Sequence, residues 1–98
     1  MIERLLAAER ALADGRIEVA DQLFSQVAAA DPRNAIAITG LAKIALRRGD
    51  LAGAREQLAR ALEVDPEDAA AQTLARALTR RRRGGVIGWL LRVILGRG

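Results

Sequence analysis

Residues 13–32 read ADGRIEVADQLFSQVAAADP, and residues 47–66 read RRGDLAGAREQLARALEVDP. The second stretch repeats the punctuation of the first at an offset of 34: Gly15 with Gly49, Ala20 with Ala54, Asp31-Pro32 with Asp65-Pro66. Carried outward, the offset also matches Ile2 with Ile36, Ala8 with Ala42, Ala11 with Ala45 and Leu12 with Leu46, eight identities in 34 aligned positions. A repeat of this length marks an array of supersecondary units, each too small to bury its own apolar face.

One unit reads as a helical hairpin. Leu5, Leu6, Ala8 and Leu12, then Ala20, Leu23, Phe24, Val27 and Ala28, follow helical spacing. Asp14-Gly15 breaks the run, and glycine supplies the left-handed backbone that ends a helix. Arg47 and Arg48 sit before Gly49, where positive charge suits the helix dipole. Asp31 is expected to cap the next helix with Pro32 in its first turn, and Asp65-Pro66 to do the same for the helix after, helped by the charges of Glu67 and Asp68. The pattern predicts helices near 2–14, 17–30, 34–48, 51–64 and 67–82, an all-α chain.

This arrangement resembles the tetratricopeptide repeat family. The likeness rests on the 34-residue period, on the small residues Ala8, Ala20, Ala42 and Ala54 where paired helices touch, on bulky Phe24 and Leu58, and on Pro32 and Pro66 closing each unit. It covers 1–34 and 35–68 as full repeats, with 67–82 as a further first helix that caps the array. The sequence departs from the family pattern at Arg4 and Ile38, where a bulky residue such as Trp is usual, and at Ala11 and Ala45, where Tyr is common. The resemblance implies a right-handed α-α superhelix over 1–83 and a groove, lined by the first helices, that binds a protein or peptide. By position the groove residues are Ile2, Leu5, Glu9, Leu12 and Ala13, then Ile36, Thr39, Lys43, Leu46 and Arg47, then Ala70, Thr73, Ala77 and Arg80. That mixture suits an amphipathic helix or apolar segment. The carboxylate-gripping subtype is excluded, because its positions hold Leu5, Glu9, Gly40, Ala70 and Leu74.

Composition narrows the chemistry. The chain of 98 residues is the length of one small domain. Aliphatic residues dominate, with aromatics at 2%. Histidine and cysteine are absent, which removes thiolate nucleophiles, histidine bases, disulfides and Cys/His zinc sites. No phosphate loop or metal-binding spacing occurs; Glu63, Asp65, Glu67 and Asp68 read as caps and solvated charge, and Glu56 with Arg60 as an exposed i,i+4 pair. A non-enzymatic interaction module without cofactor is expected, an adaptor or assembly factor. The first ten residues mix acids and bases without an apolar core, so no secretory signal is expected and the cytoplasm is the expected location.

Charge is unevenly placed. Residues 1–34 carry −2, residues 35–68 carry −1, and residues 69–98 carry seven arginines and no acid. Residues 84–98 form a glycine-hinged tail behind Arg80, Arg81, Arg82 and Arg83. The tail runs Val86-Ile87-Gly88-Trp89-Leu90-Leu91-Arg92-Val93-Ile94-Leu95, with one charge in ten. As a helix it is apolar over most of its circumference. Ten residues cover about 15 Å of a hydrocarbon core about 30 Å thick, too little to span it. The favoured expectation is that the tail folds back over an outer side of the last helix formed by Leu74 and Leu78. The competing fates are a peripheral attachment to the inner face of a membrane through the arginines, Trp89, Leu90, Leu91 and Ile94, or a homo-oligomer closed by the tail. Nucleic-acid binding through the arginine run is disfavoured by the acidic body and by the placement of Trp89 among apolar neighbours.

Overall fold

The computed structural model describes residues 2–80, and all elements there are helical. The helices are α1 (Ile2–Ala13), α2 (Ile17–Ala30), α3 (Ala35–Arg47), α4 (Leu51–Val64) and α5, described over residues 69–80. Each of the first four packs on its neighbour in the chain, and α1 also touches α3. The chain is thus two antiparallel hairpins laid side by side, with α5 added to the open end of the second.

The turns inside the hairpins are alike. Gly15 and Gly49 adopt φ of 79° and 77°, the left-handed region that glycine enters without penalty. This lets the Arg16 amide reach back to the Ala11 carbonyl at 2.8 Å and the Asp50 amide to Ala45 at 2.8 Å, satisfying carbonyls that the helix ends would orphan.

Between hairpins the sequence expectation needs correction. Asp31 does not cap α3. It closes α2, its amide bonded to the Val27 carbonyl at 2.8 Å, and its carboxylate accepts from the Arg33 amide at 3.3 Å. Asn34 is the N-cap of α3, accepting from Ala37 N–H at 3.0 Å. Asp65 and Asp68 divide the work in the same way: Asp65 accepts from Glu67, and Asp68 from the Ala71 amide at 3.1 Å. Pro32 and Pro66 therefore lie in the turn, not in the first helical turn, and α5 starts at 69 rather than 67. The reason is geometric. The chain leaves one helix before it can enter another, and the Asp carboxylate satisfies a turn amide two residues on.

Two apolar clusters fill the array. Ala8, Ala11, Leu12, Ala20, Phe24 and Ile44 form the first; Ile38, Ala42, Ala54, Leu58, Ala61, Ala71 and Leu78 form the second. Where the helices of a hairpin cross, Ala8, Ala20, Ala42 and Ala54 are fully buried, so small side chains set the approach. Phe24 is fully buried too. A Cβ on Gly40 would fall within 3.0 Å of three of its ring atoms, so α2 and α3 approach this closely here because residue 40 has no side chain.

Leu74 and Leu78 give the second correction. They are not an outer side: Leu78 is 4% exposed within the second cluster, and Leu74 packs against it. At the 34-residue offset they stand where Gly40 and Ile44 stand on α3, the side turned toward the preceding helix. The tail lies outside the described residues.

Candidate protein-binding groove

The face shared by α1, α3 and α5 carries the predicted groove. At its α1–α3 end, Glu9 and Lys43 meet at 3.6 Å across the two helices, each partly in solvent. Ile2 and Ile36 stand out at 73% and 54% exposed, while Leu5 is half-buried against the first cluster. At the α3–α5 end the surface opens into a cleft of about 340 Å³ lined by Leu46, Arg47, Leu74, Ala77 and Leu78. Four of its five lining residues are aliphatic, and its single charged residue, Arg47, is exposed at the rim. No ion pair engages Arg47 among the described residues.

The structure therefore brings together Leu46, Arg47 and Ala77, and links Glu9 to Lys43. Two other predicted residues are not groove surface. Leu12 is 5% exposed and belongs to the first cluster. Thr39 is 2% exposed, and its hydroxyl has no hydrogen-bond partner. It lies one turn before Lys43, where neighbouring first helices pack too closely to leave a short side chain in water. Thr73 is exposed, but its hydroxyl donates to the Ala69 carbonyl at 2.8 Å. Ala13, Ala70 and Arg80 are exposed.

Sequence reading missed Leu74 and Leu78 as part of the cleft, although the repeat offset places both. It also missed Arg48. This guanidinium donates to Asp21 and to Glu18, each at 2.9 Å, and ties the α3–α4 turn to α2. Those hydrogen bonds, that to Asp21 foremost, raise its pKa further above the ordinary arginine value. The partners lie 27 and 30 residues away, so no local pattern announces them. Glu56 and Arg60 do not form the expected pair; Arg60 donates instead to Gln57 at 3.5 Å. Among the described residues no group of three acidic side chains is placed to hold a metal ion, and no helix is long and apolar enough to cross a membrane.

The tetratricopeptide repeat family model matches residues 11–78, more than half of the chain. The chain belongs to the tetratricopeptide repeat family. Comparison with curated proteins and with solved structures finds no match. Tetratricopeptide repeats generally mediate contacts between proteins and are interaction modules rather than catalysts. In this tetratricopeptide array, the cleft of Leu46, Arg47 and Ala77 sits on the first-helix face.

Proposed function

We propose that the protein is a non-catalytic adaptor or assembly factor in the cytoplasm that holds an apolar helix or peptide along the α1–α3–α5 face. The observation that supports this reading is the α3–α5 cleft, lined by four aliphatic residues with an arginine in no ion pair at its rim. An apolar side chain of the partner would enter beside Leu46 and Ala77. Fully burying one Leu-sized group is worth roughly 1.5–3 kcal/mol, so several such anchors along the face are needed to outweigh the freedom lost on association. Arg47 would fix direction by pairing with a partner carboxylate. Lys43 and Glu9 already neutralise each other and would contribute shape more than charge.

The test compares folded variants. Leu5→Asp and Leu46→Asp, each confirmed helical by circular dichroism, should lose the partner that the parent chain captures, whereas Arg60→Asp on the exposed side of α4 should keep it. Retained capture by both Leu variants overturns the proposal.

A further inference from the structure

On α3, the side that carries Ile38, Ala42 and Ala45 is covered by α4. Ile38 and Ala42 are buried with Ala54, Leu58 and Ala61, and Ala45 packs against the same cluster. At the 34-residue offset the same side of α5 carries Gln72, Arg76 and Thr79. Arg76 and Thr79 are exposed, and Gln72 turns its amide to the Pro66 carbonyl at 2.7 Å. No described helix takes on α5 the seat that α4 takes on α3. Beside that seat, α4 and α5 enclose a trough of about 340 Å³, and five of its seven lining residues are aliphatic. Leu58 and Leu78, at 2% and 4% exposed, form its floor. The walls are not closed: Leu62 and Ala75 are half-buried and Ala59 is exposed, so aliphatic surface on both helices remains in water. Ala75 and Thr79 also line a second hollow of about 560 Å³, completed by Arg76 and Arg80.

Charge decides what fits there. Arg55 lines the trough from α4, and Arg76 and Arg80 line the adjoining hollow from α5. All three are exposed and enter no ion pair among the described residues; the α4 acids Glu56 and Glu63 engage none of them. One repeat earlier, Asp21 stands where Arg55 stands, and it receives the Arg48 guanidinium at 2.9 Å. The sign is inverted at Arg55, so the group that answers it is a carboxylate. The chain's own continuation supplies none. Residues 81–98 hold five arginines and no acid, and the offset assigns Arg82 to the place of Arg48 and Arg92 to that of Leu58. A second copy related by a two-fold axis would set these arginines against their own counterparts.

We infer that the α4–α5 trough is a second docking site, and that its occupant is an amphipathic helix of another protein with carboxylates flanking an aliphatic stripe. The helix lies against α5 as α4 lies against α3. Its aliphatic side chains enter beside Ala59, Leu62 and Ala75, and its carboxylates meet Arg55 on one flank and Arg76 and Arg80 on the other. Apolar burial supplies the attraction, while the arginines set direction and reject basic helices. The trough faces α4 rather than α3, so this inference stands apart from what the first-helix groove holds.

Two fluorescent synthetic peptides test this against the full-length chain by anisotropy. Both carry the same leucine stripe on an alanine-rich helix, flanked in one by glutamates and in the other by lysines. The glutamate peptide should bind and the lysine peptide should not, and binding should weaken as salt rises. Arg55→Gln and Arg76→Gln should each weaken it roughly fivefold, the upper range for an ion pair at a partly open interface. Ala59→Glu, at an exposed helical position, should abolish it, whereas Arg60→Gln should leave it unchanged. Circular dichroism checks that the helices persist in each variant. Four outcomes overturn the inference: neither peptide binds, or both bind equally; binding is lost in Arg47→Gln and kept in Arg55→Gln, which places the peptide in the α3–α5 cleft; Ala59→Glu moves the emission of Trp89 to the red, as when the chain's own tail fills the trough; or Ala59→Glu converts a dimer to a monomer in light scattering, as when a second copy does.

Discussion

Replacing Gly40 with Ala isolates the contact that holds the first hairpin to the second. The new Cβ would lie within 3.0 Å of Phe24 Cδ1, Cε1 and Cζ, a distance at which something must move. Phe24 is fully buried, so its ring has no solvent side to rotate into. Forcing an extra carbon into a packed core costs about 1–3 kcal/mol, and a rigid ring places this case at the upper end. Against it stands the helix preference of Ala over Gly, about 1 kcal/mol. The steric effect wins, leaving a net loss of about 2 kcal/mol and, for a domain of this size, a fall in Tm of roughly 8–16 °C. Thermal denaturation followed at 222 nm measures it. The same substitution in a Phe24→Leu background should cost less than half as much, because the smaller, more mobile side chain yields space. If Gly40→Ala instead stabilises the chain by the propensity difference alone, the two hairpins do not approach as described.

Three further effects follow from the fold. Asn34→Ala and Asp68→Ala should each cost about 1 kcal/mol as lost N-caps, and each should exceed Asp31→Ala or Asp65→Ala in urea melts; the reverse order would restore the aspartates before proline as the caps. Thr39→Val should raise stability by about 1 kcal/mol, because it removes a buried hydroxyl that has no partner; a drop in Tm would show that the hydroxyl is bonded. Arg48→Ala should lower Tm only slightly, since the cluster is open to solvent, and the difference should vanish in molar salt; a loss independent of salt would mean that the arginine acts through packing.

Much of this architecture was legible because repeats advertise themselves through residues with few substitutes. Gly15 and Gly49 need a backbone conformation that other residues avoid, and the alanines at the helix crossings admit nothing larger. Helix ends were harder. Asp31 and Asn34 are both good capping residues three apart, and only the path of the chain decides which one serves. The groove was half legible: its face follows from the repeat, but Thr39 and Leu12 show that exposure depends on how closely neighbouring helices pack. Leu74 and Leu78 could have been oriented by comparison with Gly40 and Ile44. Arg48 could not, since its partners are brought to it by the packing of whole hairpins.

The central claim is that the first-helix face is the occupied one. A photo-crosslinking amino acid placed at Ala77, inside the cleft, and separately at Gln26 and Arg60 on the exposed sides of α2 and α4, tests it in the cell. The account predicts a discrete adduct from position 77 that disappears when Leu46→Asp is added, and none from 26 or 60. Adducts from 26 or 60 with nothing at 77 would contradict it.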